Sequence, residues 1–130
     1  MKIFISAPFW NEKEIKRIDE IKTFLEDLGH KTWCTKDDIE RNDPEKGQKD
    51  RKRILKAERE AILKSDIVLA LLEYPSSGCA MEMQFAIDHN KPSVLYIFGN
   101  DQNLNQSIWL DQTMRVKSHE ELKRILERLR

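Results

Sequence analysis

Two glutamates stand where a chain ordinarily keeps apolar side chains. Glu82 lies in the stretch SSGCAMEMQFA, residues 76–86, between Met81 and Met83. On a helix its same-face neighbours are Gly78, Cys79, Phe85 and Ala86, all small or apolar, so the carboxylate is aimed at the protein rather than at water. Glu58 has the same oddity, sharing a stripe with Ile54, Leu55, Ala61 and Ile62. An inward carboxylate without a partner is costly. The plain readings are a glutamate favoured by the positive end of its helix, for Glu82, and one at the edge of the stripe paired with a lysine, for Glu58. Two carboxylates converging on one cleft have a chemical use. They are the apparatus of glycosidic cleavage: one attacks or stabilises an oxocarbenium-like carbon, and the other manages the proton on the leaving group.

Convergence requires particular elements around them. KIFIS (2–6) is a short β-branched and aromatic run ended by Ala-Pro, and it predicts a first strand. Ile15, Ile18, Ile21, Leu25 and Leu28 recur at helical spacing over 12–28, with Gly29 as the stop. HKTWC (30–34) predicts a second strand, and the polar residues 35–50 a loop. The helical period returns over 50–64, the segment that carries Glu58. SDIVLALLEY (65–74) is nearly continuous in apolar residues, as in a strand buried on both faces. A turn over 75–78 then opens the Glu82 helix, which runs to about Asn90. PSVLYIF (92–98) predicts another buried strand, 99–106 a polar loop and TMRV (113–116) a short last strand. The chain closes on SHEELKRILERLR, a helix opened by a Ser118/Glu121 capping box.

This alternation predicts an α/β fold, a parallel sheet with helices on both faces. Ligands in such sheets bind beyond the carboxyl ends of the strands, where the strand order reverses. The expected pocket is therefore built from Ser6–Trp10 and Tyr74–Gly78. The Glu58 helix leads into the longest buried strand and the Glu82 helix leads out of it, so both carboxylates belong near that pocket.

Composition narrows the function classes. With 130 residues, a single domain over 1–130 is expected. The 23 Lys and Arg cancel the 23 Asp and Glu, which gives no general pull toward a nucleic acid polymer or an anionic membrane. The basic run KGQKDRKRILK (46–56) is diluted by nearby acids and reads as a solvated helix start. Cys34 and Cys79 lack the spacing of a zinc site or a disulfide framework. No phosphate-binding loop, dinucleotide fingerprint or metal cluster is visible, so no cofactor and no metal are expected. No apolar stretch approaches the roughly 20 residues of a membrane span, and KIFIS is too short for a signal peptide; the cytoplasm is the expected location. His30, His89 and His119 read as surface residues. Asp66 reads as a structural hydrogen-bonding residue, and Asp37 and Asp38 as polar loop residues within reach of a ribose or base.

KIFISAPF at the start, SDIVLALL in the third strand and SSGCAMEMQFA after it resemble the nucleoside 2-deoxyribosyltransferase family, which includes the 2'-deoxynucleoside 5'-monophosphate N-glycosidases. The resemblance covers residues 2–98, with a weaker echo in NLNQSIWL (103–110). It implies a flavodoxin-like three-layer sandwich with a five-stranded parallel sheet. It implies a nucleoside or nucleotide substrate, and a homodimer or larger homo-oligomer. Gly78 and Glu82 match the family's Gly-x-x-x-Glu nucleophile motif, so Glu82 would attack the anomeric carbon and carry the deoxyribosyl group to another base or to water. Glu58, eight residues before Asp66, occupies the spacing of the family's general acid, which is usually an aspartate; here the reach is longer by one methylene.

Several transferases carry an aspartate at the position of Ser76. Pro75-Ser76-x-Gly78 is more similar to the monophosphate hydrolases, in which the serine helps hold the 5'-phosphate. Ser77 and Ser6 would face the same spot. SAPFW is similar to the transferases instead, with Phe9 and Trp10 placed either to stack on a base or to pack at a strand end. Asn105 and Ser107 correspond to a segment that completes a neighbour's pocket in family dimers. A second resemblance, to TIR domains, rests on FIS, on WCTKDDIE (33–40) and on Ser76-x-x-Cys79-x-x-Glu82. Some TIR domains hydrolyse NAD with a glutamate at this place, but Gly78 stands where they usually carry a tryptophan. The remaining alternative is a non-catalytic nucleotide-binding or assembly module on the same fold.

Overall fold

The computed structural model describes residues 1–39, 47–104 and 111–130. Among these residues five strands are formed: β1 (Lys2–Ser6), β2 (Lys31–Cys34), β3 (Ile67–Leu72), β4 (Ser93–Ile97) and β5 (Met114–Val116). The helices are α1 (Glu12–Asp27), α2 (Thr35–Asp38), α3 (Gln48–Lys64), α4 (Ser77–Asp88) and α5 (His119–Leu129), with a 3-10 turn over Asp101–Leu104. The strands make one sheet in the order β2-β1-β3-β4-β5, and every neighbouring pair is parallel. The order reverses between β1 and β3, so the crevice at the carboxyl ends of those two strands is the ligand position of a flavodoxin-like sheet.

Strand periodicity sorts the side chains into two cores. Ile3, Ile5, Leu69, Leu71 and Val94 face α1 and α5, meeting Ile18, Ile21, Leu25, Leu122 and Leu126. Phe4, Val68, Ala70, Leu72 and Leu95 face the other way, meeting Ile62 of α3 and Cys79, Met83 and Ala86 of α4. All six residues of β3 are buried, which is why that segment reads as an unbroken apolar run. The two thiols, both free, lie on opposite faces of the sheet.

Local chemistry sets the helix ends. Asn11 and Ser118 accept from the amides of Glu14 and Glu121 at 2.9 and 3.1 Å. Glu121 reaches back to the amide of Lys117 at 2.9 Å, one residue before the cap. Gly29, at φ +89°, ends α1: the amides of Gly29 and His30 close on the carbonyls of Glu26 and Leu25. Asn90, at φ 59°, ends α4 in the same way. Asp66 is structural as expected, its Oδ2 accepting from the amide of Lys2 at 2.8 Å.

Several expectations need correction. Residues 35–38 form a helical turn rather than loop, and α3 begins at Gln48. The turn is pinned from outside: Asp38 accepts from the amide of Cys34 at 2.8 Å, Lys22 pairs with Asp37 at 2.7 Å, and Lys36 pairs with Asp19 at 3.0 Å. Asp37 and Asp38 are thus engaged in structure rather than offered to a sugar. The third strand spans 67–72 only, shorter at both ends than 65–74. His30 is buried rather than on the surface, because it meets the chain's amino terminus at 3.0 Å from its Nδ1. His119 is half-buried, bonded to the Tyr96 hydroxyl at 2.9 Å and edge-on to Phe24. From Gln48 onward the basic run is helical, with Arg51, Lys52 and Lys56 exposed and Asp50 buried against Arg53 at 2.7 Å. No helix among the described residues is long and apolar enough to cross a membrane.

Candidate active site

The loops after β1 and β3 and the first turns of α4 enclose the crevice. Pro75 cannot continue a strand ladder, and Ser76 caps α4 by accepting from the amide of Cys79 at 3.4 Å. The helix then packs Cys79, Met83 and Ala86 under the sheet. Glu82, one turn beyond Cys79 on the same side, is carried to the carboxyl end of β1.

Two hollows meet at Glu82. One, of about 280 Å³, is lined by Ala7, Pro8, Phe9, Trp10, Ser76, Ser77, Gly78, Cys79 and Glu82. The other, of about 170 Å³, is lined by Leu55, Glu58, Arg59, Gly78, Met81 and Glu82. Glu82 and Gly78 form their common wall, so a molecule whose reacting carbon lies at Glu82 has one half in each hollow. Phe9, Trp10, Ser76, Ser77 and Gly78 all line the first hollow. The indole of Trp10 is 91% exposed, so it presents its face instead of packing at the strand end. Ser6 differs from expectation: it is 1% exposed and does not line either hollow. Asn105 and Ser107 lie outside the described residues.

The electrostatics single out the two carboxylates. Glu82 Oε2 and Ser6 Oγ are both buried without a hydrogen-bond partner among the described residues. Burial is the main reason that the Glu82 carboxyl is pushed up to about 8; the negative charge of Glu58 adds to the rise, and the nearby Ser6 hydroxyl opposes it without completing a bond. Glu58 is also raised by burial, and the hydrogen bond that Thr35 Oγ1 donates to its Oε2 at 2.8 Å works against that. At neutral pH burial therefore favours a proton on Glu82. Burial also pushes the Cys79 thiol up to about 11, which leaves it an inert neighbour rather than a nucleophile.

Three residues of the site were not found from the sequence. Thr35 follows β2 without any periodic signal. Lys13 and Arg17 of α1 line a third hollow of about 470 Å³ that adjoins the first through Pro8, Trp10, Ser76 and Ser77. Both cations are paired with Glu73, at 3.2 and 2.6 Å. Arg17 also lies 4.4 Å over the Phe98 ring. Another hollow, of about 390 Å³, lies between α3 and the strands β1 and β2 and is lined by neither carboxylate.

Gly78 supplies a test of this geometry. A Cβ built on it meets nothing within 4 Å, so it would stand in the open space of the trough. Gly78→Ala should leave the fold intact or stabilise it by about 0.5–1 kcal/mol, since alanine is the better helix former. Its KM for a substrate seated against Glu82 should rise. Thermal melts and steady-state kinetics would show the opposed signs, and an unchanged KM would mean that nothing binds across Gly78.

A family model described as nucleoside 2-deoxyribosyltransferase matches residues 3–123. No curated protein matches the chain in sequence. Among solved structures, a 2-deoxyribosyltransferase from the psychrotolerant bacterium Bacillus psychrosaccharolyticus is 21% identical, with a TM-score of 0.75 over 94% of this chain and 90% of that one. A conserved protein from Enterococcus faecalis V583 is 20% identical, with a TM-score of 0.68 over 94% of each chain. The CMP N-glycosidase BcmB of Clostridium botulinum is 20% identical, with a TM-score of 0.61 over 98% of each. At such identities these likenesses establish a shared fold.

Proposed function

The chain belongs to the nucleoside 2-deoxyribosyltransferase family, and from that premise we propose that it cleaves the N-glycosidic bond of a deoxynucleoside or its 5'-monophosphate with Glu82 as nucleophile and Glu58 as proton donor. One observation carries the reading: two carboxylates line the same small hollow at the strand-order reversal, and one oxygen of Glu82, Oε2, is buried there without a hydrogen-bond partner among the described residues. Structural economy disfavours that arrangement, and chemistry uses it.

The reaction runs in two balanced steps. The ionised Glu82 attacks the anomeric carbon as the carbon–nitrogen bond breaks. Its electron pair leaves with the base, which takes the Glu58 proton. Water or a second base then attacks the glycosyl ester, giving its proton to Glu58 and freeing Glu82. The pair thus works with one proton, favoured on Glu82 by burial and required on Glu58 at the moment of attack. Positive charge developing on the sugar beside Glu82 favours that redistribution. Because Glu58 lines the smaller hollow, the leaving base belongs there, and the sugar and its 5' end lie toward Ser76 and Trp10.

The single domain 1–130 is part of this proposal, supported by the one sheet that takes up all five strands. So are a soluble cytoplasmic setting and a homo-oligomer. A panel of nucleosides, deoxynucleotides and NAD, with chromatography of the released bases, tests the reading. Release of nicotinamide alone would favour the TIR-like alternative, and no release from any of them would favour a binding module.

The 5' substituent is a separate prediction. Ser76 and Ser77 open α4, whose positive end favours an anion, and the hollow bearing Lys13 and Arg17 adjoins them. A 5'-monophosphate is expected to be cleaved with higher kcat/KM than the free nucleoside, and Ser76→Ala to narrow the gap. The apolar Ala7-Pro8-Phe9 stretch pulls the other way. A ratio of one or less, unaltered in the variant, would leave the free nucleoside as substrate.

A further inference from the structure

The hydrogen bond between Thr35 and Glu58 joins α2 to α3. In the sheet register Ile5 pairs with Cys34, so Thr35 stands level with Ser6 at the carboxyl end of the strands, on the side of the crevice away from β3. A threonine at the first position of a helix ordinarily turns its hydroxyl to nearby backbone. Here Asp38 already takes the amide of Cys34, and the hydroxyl crosses to Oε2 of Glu58, 23 residues away, at 2.8 Å. The Thr35 backbone is well held, because the ion pairs Lys22–Asp37 and Lys36–Asp19 fasten α2 to α1. A four-residue helix of Thr, Lys and two Asp has little tendency to persist by itself. Its anchoring makes sense when a side chain must be kept in place.

We propose that Thr35 is the positioning residue of the proton donor: its hydroxyl fixes Glu58 Oε2 as an acceptor, so that Oε1 is the oxygen that carries the proton to the leaving base. The inference rests on the roles proposed above for Glu58 and Glu82. A carboxyl on an exposed glutamate turns freely and can hold its proton on either oxygen. With a donor committed to Oε2, the proton of neutral Glu58 resides on Oε1, and rotation about the last side-chain bond is restricted. The extra methylene of a glutamate, compared with an aspartate, makes such a restraint necessary, since each added rotor spreads the positions of the acid.

Thr35→Val removes the hydroxyl at nearly constant volume, and Thr35→Ser keeps it. With a natural deoxynucleoside or deoxynucleotide, Thr35→Val is expected to lower kcat by roughly 10- to 100-fold with KM little changed, since misalignment of a proton donor forfeits part of its effect. With a substrate whose leaving group needs no proton, the loss should be less than about threefold on the same scale. Thr35→Ser should recover most of the rate, and circular dichroism melts of both variants report whether they fold. Should Thr35→Val fail to fold, Thr35→Ser and Thr35→Ala are compared in its place, with the same ordering expected. Equal losses on both kinds of substrate, no loss, or no recovery by serine would overturn the positioning role while leaving the nucleophile assignment standing, provided that Glu82→Gln is inactive in the same assays. If the wild-type protein releases no base from any substrate, the proposed function falls and the inference with it.

Discussion

Glu82→Gln is expected to lower base release by several orders of magnitude and to leave the protein folded. The amide keeps the shape of the neutral carboxyl but has no ionised form with which to attack. The same substitution has a second readout that needs no substrate. In the unfolded chain Glu82 gives up its proton near its ordinary value of 4.5, whereas in the folded protein it holds the proton to about 8. Between those values the folded form binds more protons than the unfolded one. Stability contributed by this group is therefore complete below about 4.5 and is lost progressively as pH rises toward about 8. Thermal melts of the wild type should decline over that window, and the glutamine variant should flatten the decline. Near-normal turnover would remove Glu82 from the reaction; an unaltered slope would mean that its carboxyl is hydrated.

Glu58→Ala should separate substrates by their leaving groups. General acid help is worth about 10²–10⁴-fold, and it is needed most when the departing base is a poor leaving group. Natural purine or pyrimidine deoxynucleosides should lose rate on that scale, and a substrate with an activated leaving group much less. The variant also removes the negative charge that helps to raise Glu82, so Glu82 should titrate lower. The pH–rate profile with the activated substrate should then keep its rise at acid pH, displaced downward, and lose its fall at alkaline pH. Rate losses of equal size on both substrates would argue that Glu58 holds the site together rather than supplying a proton.

The parts of the fold that were legible are those whose stability is local or strongly patterned. β3 announces itself as six apolar residues, and α1 by its isoleucines and the glycine that stops it. Glu58 and Glu82 stood out because a charge on an apolar stripe breaks the pattern that packing imposes. What stayed hidden depends on residues distant in sequence. α2 exists through ion pairs to α1 and the hydrogen bond from the Cys34 amide to Asp38, none of which leaves a period in TKDD. His30 is buried because the register of β1 and β2 brings the amino terminus beside it. Thr35 could have been found only by asking which polar residue ends the strand beside β1. Lys13 is exposed and Arg17 half-buried on α1, and a lysine and an arginine among its many charges carry no signal until Glu73 and Ser76 are placed next to them.

The shapes of the outer strands bear on what happens when the protein opens. β2 has four residues and β5 three, so little unpaired backbone is offered at either margin of the sheet, and each carries one cation, Lys31 and Arg115. Native molecules are thereby discouraged from adding strand to strand. The hazard lies at the centre instead: IVLALL, uncharged and free of proline and glycine, is a segment suited to cross-β stacking once exposed. Lys64, Asp66 and Glu73 flank it as charged gatekeepers, and in the unfolded chain they alone stand between this segment and its copies in other molecules. Heating is consequently expected to end in aggregation rather than in a reversible transition, with the centre of the sheet as its seed.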